Sequence, residues 1–134
     1  LHPDLQVNTA RARRALSSHI SMQQWVEQQG LLAGFIAACT ASDVELIRRT
    51  LRDVVIEPQR SAAVPCFDQV TDAAMRAGAL GCSLSGTGPS IFALCRDAAA
   101  HNIAMAMEQA CRAQGIGCQS WVSPMDADGA RVES

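Results

Sequence analysis

The chain has 134 residues, 49% of them apolar and 18% charged, with a formal net charge of -2 at pH 7. That is the length of one domain with a single core, too apolar to stay disordered. It lacks the clustered positive charge that draws nucleic acid or an anionic membrane, so neither partner is expected. All 11 basic residues are Arg, and without Lys a Schiff-base lysine and the Gly-Lys-Ser/Thr ending of a Walker-type phosphate loop are excluded.

In chain order, "LHPDLQV" reads as a strand remnant that meets a helix start at Asn8 or Thr9. Ser21 and Gln24 have the spacing of a capping box and open a second helix through "WVEQQGLLAGFIAAC", with Gly30 and Gly34 weakening its middle. Ser42 and Glu45 predict a reciprocal cap for a third helix, whose stripe is Val44, Ile47, Leu51 and Val54. Glu57-Pro58 ends it, and "EPQRSAAVP" is expected to run as a loop to Pro65. Phe67, Val70, Thr71, Ala74 and Ala77 then recur at helical spacing up to Gly78, a suitable left-handed cap.

Two short apolar segments, "ALGCSLS" and "PSIFALC", flank "GTG" and predict a hairpin. An Ala-rich helix follows with Asp97 as its cap, a stripe of Ile103, Met107, Ala110 and Cys111, and Gly115 at its end. "CQSWVSP" alternates as another strand. Asp126 and Asp128 read as turn formers around Gly129, and the tail "GARVES" as a short last strand or an exposed end. Met105, Met107, Met125, Trp25 and Trp121 read as packing residues. The order strand, helices, strand, strand, helix, strand predicts an α+β fold: a ferredoxin-like split β-α-β sandwich with extra helices, an antiparallel sheet covered by helices on one face. Residues 1–134 are expected to form one domain.

Cys39, Cys66, Cys82, Cys95, Cys111 and Cys118 contain no C-x-x-C pair and no Cys/His grouping at zinc spacing. They read as small hydrophobes, no metal site is expected, and reduced thiols without a leader or an apolar run of ~20 residues point to the cytoplasm. The start at Leu1, inside what reads as structured sequence, suggests part of a longer protein.

Two features could carry chemistry. In "SGTGPS", Gly86 and Gly88 allow positive φ and bare backbone, the set Ser83, Ser85, Thr87 and Ser90 in and beside it adds small hydroxyls, and the loop can be either a hairpin turn or a cradle for an anion. Arginines occur at the helix start "NTARARR" and in "EPQR", where a planar fork suits a carboxylate; Arg11, Arg13 and Arg14 can equally form a solvated face. Arg60 stands apart, pinned between Pro58 and Pro65 in an otherwise uncharged segment. His2, His19 and His101 are isolated and read as surface or core-edge residues.

The motifs "PDLQVNTARARRAL", "LLAGFIAAC", "LRDVVIEPQR", "VPCFDQV", "GALGCSLSGTGPSIFALC" and "DGARVES", in this order, resemble the C-terminal half of the homoserine kinase family within the GHMP small-molecule kinases. "SGTGPS" is similar to the third motif of the superfamily; T-x-x-A-R, EP-x-R and the LAGF segment carry the narrower likeness. The resemblance implies a substrate-side domain whose partner is the N-terminal domain of the same polypeptide, absent from these 134 residues, which would bind most of the ATP and Mg. It implies L-homoserine as substrate, Thr9, Arg13 and Arg60 as its contacts, and Ser85, Gly86, Thr87 and Gly88 as the third-motif loop beside the reacting groups. It assigns no catalytic base, leaves a homodimer open, and implies that these residues alone do not turn over. Ser17, Gln59 and Cys66 depart from the family's usual Pro, aromatic and Gly. Two rivals are another GHMP kinase and a non-catalytic ferredoxin-like module that binds an amino acid.

Overall fold

The chain is described from a computed structural model, which places residues 1–125 and 132; the turn at Asp126, Asp128 and Gly129 and most of the "GARVES" tail lie outside the described residues. The elements are β1 (His2–Pro3), α1 (Thr9–Arg14), α2 (Met22–Ala41), α3 (Val44–Thr50), α4 (Glu57–Arg60), α5 (Phe67–Arg76), β2 (Gly81–Leu84), β3 (Ile91–Leu94), α6 (Ala100–Ala113) and β4 (Cys118–Gln119). Short 3-10 turns follow α4 at Ser61–Ala63 and precede α6 at Asp97–Ala99.

The fold is α+β. β2 and β3 form the expected antiparallel hairpin, with Leu84 opposite Ile91 and Cys82 opposite Ala93. β1 pairs antiparallel with β4. The two ladders are joined where Leu1 and Ile91 exchange two backbone hydrogen bonds, each of 2.9 Å, which sets β1 between β4 and β3. Alternation across the hairpin turns Leu84 and Ile91 into the core and leaves Ser83 and Phe92 on the opposite face. α5 and α6 close the inner face with Phe67, Val70, Ala74, Ile103, Met107 and Cys111. Each apolar stripe matches the 3.6-residue period, as expected from the sequence.

Local hydrogen bonding sets the helix starts. The Asn8 side chain accepts from the N–H of Arg11 at 2.9 Å, and Ser21 and Gln24 make the expected capping box. The α3 start differs from expectation: Asp43, not Ser42, is its cap and accepts from Leu46 N–H at 2.9 Å, while Ser42 closes α2 in the left-handed region at φ 54°. Asp43→Ala should therefore cost about 1 kcal/mol, the worth of a cap, whereas Ser42→Gly should be neutral or stabilising because glycine adopts that φ freely. Urea unfolding of the two variants separates the assignments, and equal losses would restore Ser42 as the cap.

α3 also stops at Thr50, short of Val54, because Asp53 Oδ1 accepts from the N–H groups of Val55 and Ile56, both at 2.8 Å, and offers the backbone a local alternative to the helix. "EPQR" is then a helical turn instead of a loop. Pro58 lies in the first turn of α4, where its missing N–H leaves no hydrogen bond unmade, so the proline that was expected to break a helix helps to start one. Asp97 heads a 3-10 turn without a side-chain cap, and α6 begins three residues later.

α2 runs unbroken through both glycines. A Cβ at Gly34 would lie 2.7 Å from Thr50 Cγ2, so the glycine lets α3 approach instead of weakening the helix. The apolar residues of α2 surround the helix without a stripe, and α3 covers only part of them; Met22, Trp25, Val26, Leu32 and Ile36 remain exposed. Trp25 at 51% and Trp121 at 67% are thus not the core residues they were expected to be, and neither are Met105 and Met125. All six cysteines are free, with Cys66, Cys111 and Cys118 buried and Cys39 exposed. Burial, with Glu57 nearby, pushes the Cys82 thiol up to about 12.

Candidate functional site around Arg60 and the glycine loop

The loop between β2 and β3 is closed by two backbone bonds, Ser85 N–H to Ser90 O at 2.8 Å and Gly88 N–H to Ser85 O at 3.1 Å. Gly86 lies at φ 63° with open space around its Cα, a conformation that disfavours a side chain. Among the described residues the N–H groups of Gly86 and Thr87 have no protein acceptor, so two successive amide donors are left for water or an anion.

Arg60 reaches this loop from α4. Its Nη1 donates to Gly86 O at 2.8 Å, which joins two motifs 26 residues apart. Its Nε is shielded from solvent and has no acceptor among the described residues. A buried, unpaired donor on a charged group costs on the order of 1–3 kcal/mol, and a carboxylate or other anion beside it would supply the missing acceptor.

Glu57, at the other end of the same turn, accepts a short hydrogen bond from Ser83 Oγ on β2. Its carboxyl is raised above the usual range, chiefly by burial, with Asp53 and Asp68 adding repulsion and Ser83 opposing the shift. Asp53 Oδ1 holds the N–H groups that lead into the turn. Sequence reading singled out Ser83 as one of the hydroxyls beside the glycines but gave no role to Glu57 or Asp53. It also passed over His2, whose Nδ1 lies 2.8 Å from Ser90 Oγ at the foot of the loop, a pairing across 88 residues with no local signal.

Thr9 and Arg13 are exposed on α1, where their side chains make no hydrogen bond or ion pair among the described residues; Arg11 and Arg14 are exposed as well. Among the described residues no hydrogen bond or ion pair links Thr9 or Arg13 to Arg60. The connection runs through the backbone just beyond α1, where Ser17 N–H donates to Gln59 Oε1 at 2.7 Å. Ser17 and Gln59, two of the three positions expected to depart from the family's pattern, thus meet here.

A cavity of about 610 Å³ lies elsewhere, between β3, α6 and the segment after β4, lined by Phe92, Ala93, His101, Ala104 and Trp121 among others. It is the larger of the two cavities described, yet it touches neither Arg60 nor the glycine loop. The convergent polar groups, not the volume, mark the candidate site. Among the described residues no group of three His, Cys, Asp or Glu is placed to hold a metal, and no helix is long and apolar enough to cross a membrane.

Comparison with known proteins finds relatives over nearly the whole chain. The profile of the family described as "GHMP kinases C terminal" matches residues 35–113. Homoserine kinase of Chlorobium phaeovibrioides is 41% identical over 135 residues, which take in 98% of this chain and 42% of the relative. Homoserine kinase of Xanthomonas campestris pv. campestris is 40% identical over 133 residues, 98% of this chain and 41% of the relative. The crystal structure of homoserine kinase from Cytophaga hutchinsonii is similar with a TM-score of 0.84 and 44% identity, covering 87% of this chain and 37% of that one. The chain thus spans about two fifths of the length of the curated relatives it matches.

Proposed function

The chain belongs to the GHMP kinases, as the C-terminal domain of that family, and from this premise we propose that it is the substrate-side domain of a homoserine kinase. The parent enzyme phosphorylates the side-chain hydroxyl of L-homoserine to O-phospho-L-homoserine, a step toward threonine, in the cytoplasm. The observation that carries the reading is the Arg60 to Gly86 bond of 2.8 Å, because it couples a carboxylate-binding fork to a loop with free amide donors. The names of the relatives point to homoserine, whose α-carboxylate suits that fork.

The fit to the phosphoryl donor is one-sided. The described residues offer guanidinium and amide donors but no lysine and no acidic cluster for a cation, so in this reading the N-terminal domain of the same polypeptide holds most of the nucleotide and its magnesium. When bound, Mg·ATP supplies the phosphoryl group. This chain's part is to hold and orient: Arg60 and Arg13 take the carboxylate, Thr9 adds a hydroxyl, and the hydroxyl to be phosphorylated is left pointing across the glycine loop. Gly86 and Thr87 N–H would be free to stabilise negative charge on the transferring group, and positioning with charge stabilisation is most of what phosphoryl transfer requires.

The full-length parent, supplied with Mg·ATP, should release ADP with L-homoserine and not with mevalonate, and these 134 residues alone should release none. ADP release with mevalonate and none with homoserine would move the assignment to another GHMP kinase. No ADP release with any hydroxylated acceptor, together with homoserine binding by calorimetry, would leave a non-catalytic amino-acid module.

A further inference from the structure

We propose that Glu57, acting through Ser83, is a positioning residue that sets Arg60 and the glycine loop for phosphoryl transfer, an inference that rests on the reading above. Glu57 and Arg60 are three residues apart on one helical turn, a spacing at which a carboxylate and a guanidinium commonly meet on the helix surface. They do not pair here. Glu57 turns to Ser83 Oγ on β2, and Arg60 turns to Gly86 O, three residues further along the hairpin. The turn is therefore buttoned to the hairpin at two points, one on the strand and one on the loop.

The other bonds of the turn point the same way. Asp53 Oδ1 fixes its start through the N–H groups of Val55 and Ile56, and Gln59 ties it to the segment after α1. Four residues of chain are too few to hold a helical turn by their own hydrogen bonds, so its orientation depends on these side-chain attachments. Without the Glu57 attachment the turn can roll about its axis. Arg60 is then free to leave Gly86, and both the fork and the loop amides lose their relative placement. A half-buried carboxylate is a costly group to keep for packing alone, since an apolar side chain of similar length would meet no desolvation cost.

The test uses the full-length enzyme with Glu57→Ala, Glu57→Gln, Ser83→Ala and the Glu57→Ala/Ser83→Ala pair, assayed with the acceptor that the unmodified enzyme phosphorylates. Glu57→Ala and Ser83→Ala should each lower kcat/KM for the acceptor about 10-fold, the worth of one lost hydrogen bond, with KM for ATP within about twofold of normal. The pair should be no worse than either single change, because both remove one attachment. Glu57→Gln keeps an oxygen acceptor for Ser83 and should restore most of the activity. The proposal is overturned if Ser83→Ala is as active as the parent, if Glu57→Gln is no more active than Glu57→Ala, or if acceptor and ATP parameters fall together with thermal stability. Failure of the homoserine reading looks different: the unmodified enzyme itself gives no ADP with homoserine.

Discussion

Arg60→Ala in the full-length parent should lower kcat/KM for L-homoserine about 100-fold, near the top of the range for one charge-assisted hydrogen bond. Two losses add. The fork that would receive the α-carboxylate disappears, and Gly86 O loses its donor at 2.8 Å, so the loop is no longer held to α4. The first loss acts on ground state and transition state alike and should raise KM. The second acts on the placement of the loop amides and should lower kcat. Arg60→Lys should recover little, because an ammonium on a flexible stem cannot bond a carboxylate in two places and Gly86 O in a third. Steady-state kinetics with ATP saturating give both parameters, and an amino alcohol lacking the carboxylate provides the control: with it the difference between parent and Arg60→Ala should shrink. An Arg60→Ala enzyme with unchanged kcat/KM for homoserine would remove Arg60 from the site.

What could be read in advance is what is local. Asn8 and Ser21 announced their helices because a cap is a hydrogen bond across three residues, and the stripes of α5 and α6 repeat within a few turns. The hairpin was legible from a glycine-rich turn between two apolar runs. The misreadings occur where two local rules compete. Ser42 and Asp43 can both cap, and the choice went to Asp43 because Ser42 was needed to turn the chain left-handed out of α2. Pro58 can stop a helix or start one, and the Asp53 carboxylate decided the matter by taking the two N–H groups just ahead of it.

The candidate site divides along the same line. Arg60 and the glycine loop could be singled out by composition, since one is an isolated charge and the other a cluster of glycines. That they touch could not, because their bond spans 26 residues and depends on how the turn packs against the hairpin. Glu57 carried no signal for the same reason, since a carboxylate in the first turn of a helix reads as a response to the helix dipole; Ser83 stood out only as a hydroxyl beside the glycines, and its bond to Glu57 also spans 26 residues. Thr9 and Arg13 stay on an exposed helix linked to the turn only through Ser17 and Gln59. Their approach to a substrate carboxylate is the part of the proposed site that a bound amino acid would have to complete.

Met107→Ala should destabilise the domain by about 2–5 kcal/mol, the usual range for a buried methionine cut to alanine, while Met105→Ala should change stability by no more than about 0.5 kcal/mol. The two residues lie two positions apart on α6 and have nearly the same intrinsic helix propensity, so the helix term cancels and burial alone separates them. Met107 is 3% exposed, packed in the cluster with Val70, Ile91, Ile103 and Cys111; Met105 is 59% exposed. Removing the Met107 side chain takes apolar area out of the interior and leaves a void that α5 and the hairpin can close only by moving. Ile91 is one of the residues that would have to move, and its backbone is what joins the hairpin to Leu1 and hence to β4. The loss should therefore reach beyond α6, lowering amide-exchange protection in β3 as well as in the helix, with a midpoint in urea clearly below that of Met105→Ala. Equal midpoints for the two variants would mean that α6 turns a different face to the sheet, and the core built on Ile103, Met107 and Cys111 would have to be abandoned.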